Sequence, residues 1–260
     1  MADMGEWTAI ILAGQRPGEN AFAASHGVAA KALIPVAGEP MLGRVVRTLL
    51  ASPSVGRIVI LAQEPEPLVT GPLAWLAAEP RVATACAGDG ISASVAAAAG
   101  SPAAPWPVLV TTADHPLLRP EMVEAFIAGS AGADVGIAMV ERAVVERAHS
   151  TRRTWIKFSD GHYSGANMFA LTSAASAPAM EMWARAERDR KKALKILMFF
   201  GPVIFLRAFT RTISLDAAVA RVGRALSLRL TVVRLPFAEA AIDVDKPADL
   251  ELAASILAGR

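Results

Sequence analysis

Apolar residues recur along the first 140 positions in two rhythms that alternate. Short unbroken runs such as Trp7–Leu12 (WTAIIL), residues 57–62 and Val108–Thr112 read as strands buried on both faces. Between them, residues 41–50 carry Leu42, Val45, Val46, Leu49 and Leu50 at helical spacing. Residues 68–78 are expected to be helical and 81–86 to form a third strand. An alanine-rich helix should run from the turn at 88–90 to about Gly100. A loop at 102–107 precedes Val108–Thr112, Pro120 suits a first helical turn, and a strand near 134–140 follows. This βαβα order predicts an α/β fold, a mostly parallel central sheet with helices on both faces. Ligands in such sheets gather at the carboxyl ends of strands. Gly14 and Asp114 both fall just past such ends.

The second half is less regular. Residues 154–158 and 164–171, joined through Asp160-Gly161, read as a hairpin, and 172–193 as a helix that becomes strongly charged. Ser214 can cap a helix reaching Leu226. Residues 230–235 and 242–244 read as strands, and Pro247–Ala258 as a terminal helix. We expect a single domain over 1–260, with 141–228 as a small irregular α+β insertion on the acceptor side.

Composition narrows the class. A chain of 260 residues with 53% hydrophobic content can bury a substantial core, which argues against disorder. A net charge of +2, without a basic stripe interleaved with aromatics, disfavours nucleic acid as a partner. The lone cysteine, Cys86, excludes an internal disulfide, fits a reducing cytoplasm and is expected to be a small buried hydrophobe. The N-terminus carries Asp3 and Glu6 rather than a basic leader, and no apolar run reaches the roughly 18 residues of a spanning helix.

The stretch from Thr8 to Leu42 carries the first chemical signal. An apolar strand enters a small-residue turn at Leu12-Ala13-Gly14, where glycine allows close backbone approach and the N–H groups can form an anion nest. Arg16 and Lys31 add positive charge for phosphate oxygens. With Lys31-Ala-Leu-Ile-Pro-Val-Ala-Gly-Glu-Pro-Met-Leu42 the stretch resembles the signature of nucleotidyltransferases. That superfamily includes the sugar-phosphate nucleotidyltransferases and the MobA-like molybdenum-cofactor guanylyl- and cytidylyltransferases. Gly14-Gln-Arg-Pro-Gly18 replaces the family's usual glycine-rich run. The resemblance implies a Rossmann-like three-layer αβα sandwich of the GT-A-like kind and binding of an NTP.

Two further motifs follow in the family's order. Asp114-His-Pro-Leu117 resembles its Asp-x-Pro-Leu metal motif, which implies Mg²⁺ on Asp114; a carboxylate just after a buried strand suits a hard cation. Ile242-Asp-Val-Asp-Lys-Pro-Ala-Asp-Leu250 resembles a second metal motif, with Lys246 where the family has threonine. It implies Asp245 as a metal ligand, with Asp243 assisting. Asp245 before Pro247 is equally a helix cap, and Asp249 is expected to be structural. His115 is expected to be a loop residue.

Gly88, Ser92 and Ser94 can offer N–H and hydroxyl groups to a nucleotide at a helix start, or simply cap that helix. In relatives a similar segment reads base and ribose. Gly165 and Asn167, inside an apolar strand, are candidates for holding the acceptor, although Asn167 can also be a structural amide. Residues 191–211 place an apolar core, 196–206, between basic flanks. They fit a core or dimer contact, a peripheral membrane or lipid-acceptor contact, or a lid.

The implied reaction is in-line attack of an acceptor phosphate oxygen on the α-phosphorus of an NTP. Lys31 and Arg16 would stabilise the charge and Mg²⁺ would orient the phosphates. The acceptor is a sugar, polyol, cofactor or lipid-linked phosphate. The alternatives are a nucleotide-binding regulatory module without catalysis, and a nicotinamide oxidoreductase. The latter would need a Gly-x-Gly-x-x-Gly after the first strand, which is absent.

Overall fold

The computed structural model describes residues 7–14, 20–88, 90–151, 153–188 and 212–259. In chain order it begins with β1 (Trp7–Leu12), α1 (Ala21–Ala24), the small ribbon β2 (Pro35–Val36) and β3 (Glu39–Pro40), and α2 (Met41–Leu50). Next come β4 (Val55–Ala62), β5 (Val82–Cys86), α3 (Ile91–Ala98), β6 (Val108–Thr112), α4 (Pro120–Gly129), β7 (Val135–Glu141) and α5 (Arg142–Ala148). The chain then runs through β8 (Ile156–Phe158), β9 (Gly161–Leu171), α6 (Ala177–Arg188), α7 (Leu215–Leu226), β10 (Leu230–Arg234) and α8 (Pro247–Ala258).

Eight of these strands form one sheet in the order β10-β7-β9-β6-β1-β4-β5, with β8 added to β9. β1 lies parallel to β4 and β6, β4 to β5, and β10 to β7, while β9 runs antiparallel to β6, β7 and β8. The expected mostly parallel α/β sheet is therefore present. β1 shows why its sequence is almost unbroken apolar. Ala9 and Ile11 face one core with Ile58, Ile60 and Leu109, together with Leu42, Val45, Val46 and Leu49 of α2. Ile10 faces a second core with Val59, Val110, Val95 of α3 and Met180 of α6. Two covered faces make three layers. Burying each large aliphatic side chain stabilises the fold by about 1.5–3 kcal/mol.

Several local expectations change. Residues 66–78 form two 3₁₀ turns, Glu66–Val69 and Gly71–Ala78, because Gly71 takes φ +55 and divides the segment. The helix α5 was not expected. Residues 242–244 lie outside the sheet, with Ile242 and Val244 buried in a small satellite core. Cys86 is exposed, because β5 is the edge strand and only part of it is covered. The stretch 141–228 supplies β9, an internal strand between β7 and β6. Ser214 does cap α7, its hydroxyl accepting from Ala217 N at 3.3 Å. Residues 191–211 and Arg16 lie outside the described residues. Among the described residues, no helix is long and apolar enough to cross a membrane.

Candidate active site

The satellite core joins the three sequence motifs. Ile34, Val36 and Met41 from the Lys31 segment pack with Leu117 from the Asp114 segment and with Ile242 and Val244 from the third. The apolar positions of each motif thus serve one purpose: they clamp three loops together at the carboxyl edge of the sheet. Backbone hydrogen bonds complete the clamp. Ala113 N donates to Leu12 O at 3.0 Å, and Val244 N donates to Asp114 O at 2.9 Å.

The polar positions converge as a result. Lys31 opens a 3₁₀ turn, Lys31–Leu33, and its Nζ lies 2.5 Å from both Asp114 Oδ2 and Asp245 Oδ1. Burial works against the charge on this ammonium, but the attraction of Asp114, and then of Asp245, outweighs it and raises the Lys31 pKa. The remaining oxygen of Asp114, Oδ1, is buried and accepts no hydrogen bond from a described residue, as are the hydroxyls of Thr111 and Thr112. Ala13 and Gly14 adjoin this group at the end of β1, where Ala13 N is spent on Leu61 O at 2.9 Å.

Asp243 has a different environment. One of its oxygens pairs with Arg153, and Oδ2 accepts from Asn167 Nδ2 at 3.1 Å. Both oxygens are therefore engaged, and among the described residues Asp114, Asp243 and Asp245 do not gather as one three-carboxylate cluster. Arg153 also stands 3.8 Å from Asp249, whose Oδ2 accepts from Asp245 N at 3.2 Å. Asp249 is 4% exposed and is engaged by these partners. Burial lowers the Arg153 pKa, offset by the nearby carboxylates of Asp249, Asp245 and Asp114.

Asn167 reaches Asp243 through a bulge. Along β7 the partner moves from Phe169, opposite Ile137, to Gly165, opposite Met139, so four steps of β9 span two of β7. The excess is taken up where Asn167 adopts φ +50, a left-handed conformation that asparagine tolerates better than most residues. The expected strand amide is thus turned out of the ladder. Gly165 and Asn167 line a pocket of about 380 Å³ with Arg153, Ser164, Asp245 and Lys246. A Cβ at Gly165 would meet nothing within 4 Å, so this wall of the pocket is open.

His115 is a loop residue, as expected, but a buried one, and its Nε2–H donates to Glu239 O at 3.3 Å. Glu239 in turn faces Arg119 at 3.7 Å and His149 at 3.6 Å, bracing the back of the Asp114 loop. Gly88, Ser92 and Ser94 gather at the start of α3. The Ser94 hydroxyl donates to Gly90 O at 2.8 Å, while Ser92 is engaged by Glu187.

A family model for the MobA-like NTP transferase domain matches residues 9–197, spanning β1, the Lys31 turn, Asp114 and β9. The chain belongs to this family. Its fold is that of the nucleotidyltransferase superfamily, whose general chemistry is nucleotidyl transfer. No curated protein sequence matches the chain. Among solved structures it is similar to a hypothetical transferase from Thermus thermophilus, at 28% identity and TM-score 0.78, covering 94% of this chain and 99% of that one. It shares its fold with 4-diphosphocytidyl-2C-methyl-D-erythritol synthase from Anaerococcus prevotii, at 14% identity and TM-score 0.60, covering 98% and 100%. It shares the fold also with CMP:2-keto-3-deoxy-manno-octonic acid synthetase complexed with CTP, at 14% identity and TM-score 0.57, covering 98% and 99%.

Sequence reasoning did not single out Arg153 or Glu187. Arg153 is one of two adjacent arginines and Glu187 one of several charges in a helix, so neither carries a local signal; only the chain's return brings them to their partners.

Proposed function

We propose that this MobA-like protein transfers a nucleoside monophosphate from an NTP to a phosphorylated acceptor, with release of pyrophosphate. The observation that carries the reading is the bridging of Asp114 and Asp245 by Lys31, which places two carboxylates around one cation at the carboxyl edge of the sheet. The donor set fits a hard divalent ion: two aspartates from separate loops, one with a buried oxygen, Asp114 Oδ1, that lacks a hydrogen-bond partner among the described residues. Mg²⁺ held by Asp114 and Asp245 would supply charge neutralisation and orientation of the α-phosphate.

The chain's own residues do the rest. Ala13 and Gly14 let the triphosphate approach the backbone, and Arg16 with Lys31 balances the charge that passes to the leaving pyrophosphate. The acceptor occupies the pocket beside Asn167 and Gly165, where Asn167, Ser164, Arg153 and Lys246 offer polar contacts. One of its phosphate oxygens attacks the α-phosphorus; the new P–O bond forms as the bond to the bridging pyrophosphate oxygen breaks. A phosphate monoester is largely ionised near neutral pH, so positioning replaces general-base catalysis.

Pyrophosphate release across the four NTPs and a panel of sugar, polyol and cofactor phosphates tests the reading. One donor–acceptor pair should release pyrophosphate in a Mg²⁺-dependent way, and Asp114→Asn should abolish it. Release unaffected by that substitution, or no release with any pair, would overturn the assignment.

A further inference from the structure

The start of α3, whose glycine and serines suit either nucleotide contact or helix capping, meets a carboxylate from elsewhere in the chain. Glu187, in the last turn of α6, accepts from Ile91 N at 2.8 Å through Oε1. Its Oε2 accepts from Ser92 N at 3.0 Å and from the Ser92 hydroxyl at 2.7 Å. Gly90, at φ +101, brings its backbone against the same carboxylate: a Cβ there would lie 3.5 Å from Oε2. The other hydroxyl of the motif, on Ser94, is turned back to Gly90 O and Gly88 O. The Ile91 and Ser92 amides and both serine hydroxyls are therefore satisfied from within.

Resting on the proposed nucleotide-transfer reading, we infer that Glu187 competes internally with the NTP. Two physical points favour competition over a purely structural cap. The Ile91 and Ser92 donors cannot serve both the carboxylate and a nucleotide oxygen or base acceptor, because each N–H and O–H has one proton to give. A carboxylate held there also repels the phosphates of an approaching NTP. The anchoring of α6 allows the exchange. Met180 is buried in the core and Trp183 stacks on Phe169 with ring centroids 5.5 Å apart, whereas Glu187 lies a turn further on. The body of the helix can stay docked while the Glu187 side chain swings out. Glu187 thereby sets nucleotide affinity without contributing to the transfer step.

Equilibrium binding of ATP, CTP, GTP and UTP, each with Mg²⁺, is measured for the wild type, Glu187→Gln and Glu187→Ala, alongside amide hydrogen exchange over residues 90–95. Both variants should bind the preferred NTP more tightly, Glu187→Ala at least tenfold, and Ile91 and Ser92 should exchange faster in Glu187→Ala. The Gln variant, which keeps an acceptor but not the charge, guards against a folding defect in the Ala variant. Unchanged or weaker binding with faster exchange makes Glu187 only a helix cap and overturns the inference, leaving nucleotide transfer intact. No NTP bound by any of the three proteins, with exchange already faster in the variant, overturns nucleotide transfer and the inference together.

Discussion

Asn167 Nδ2 donates to Asp243 Oδ2 across 3.1 Å, although 76 positions separate the two residues. The bond exists because β9 bulges at Asn167, whose backbone takes φ +50. Two substitutions separate the amide from the backbone. Asn167→Gly loses the hydrogen bond but accepts the left-handed conformation, whereas Asn167→Ala loses the bond and strains the backbone by about 1–2 kcal/mol. Urea unfolding should give Asn167→Ala an unfolding free energy about 1 kcal/mol below that of Asn167→Gly. If the acceptor lies in this pocket, both should raise its KM.

Arg153 ties Asp243 and Asp249 to the same wall. Removing one partner of a buried ion pair costs about 3–5 kcal/mol, because the other charge is left without compensation. Asp243 keeps some solvent contact, at 21% exposure, so Arg153→Met should fall at the low end, about 3 kcal/mol. Chemical unfolding of Arg153→Met should show that loss, and the double variant Arg153→Met with Asp243→Asn should recover part of it.

Lys31 and Asp114 should separate activity from folding. Asp245 is 66% exposed, so its pair with Lys31 contributes no more than about 1 kcal/mol, whereas the partly buried Lys31–Asp114 pair, 20% and 22% exposed, contributes about 2 kcal/mol. Asp114→Asn should therefore lower the melting temperature by about 4–8 °C and Lys31→Ala, which loses both pairs, by about 6–12 °C, with the fold retained. Pyrophosphate release should fall by about 100-fold or more, the scale for losing one preorganised charge-stabilising group. Loss of folding in parallel with activity would point to a structural role alone.

His115 predicts an acid-sensitive fold. Burial lowers its pKa, only partly offset by its bond to Glu239 O and by Asp114, while Arg153 lowers it further. The unfolded chain, with histidine near its ordinary value of about 6.5, then binds the proton more readily than the folded chain. Stability is full above about 6.5 and falls as the pH drops from there towards the folded-state value. Melting temperatures from pH 8 to pH 5 should show this decline, and His115→Gln should flatten that part of the profile.

The elements that place the site were legible wherever one rhythm of apolar residues decided burial. β1, β4 and β6 carry near-continuous apolar runs because helices cover both faces of the sheet, and α2 carries its stripe because it has one face to bury. Reading failed where a neighbour rather than a rhythm decided. Cys86 looks buried in sequence but lies on the edge strand β5. Residues 242–244 look like a strand but place Ile242 and Val244 in the satellite core.

The sequence by itself determined the chemistry that the chain carries and the order of its three motifs, because strand ends followed by Gly14, Asp114 and the Asp243–Asp249 stretch are local facts. Only the tertiary structure decided which partners each carboxylate meets. Asp243 and Asp245 are two residues apart, and nothing in their spacing tells one from the other. Folding puts Asp245 beside Lys31 and Asp243 beside Arg153 and Asn167. The reason is physical: a charge takes its role from its partners, and these partners come from segments about 80 to more than 200 positions away, which only the packed sheet and satellite core bring within bonding distance.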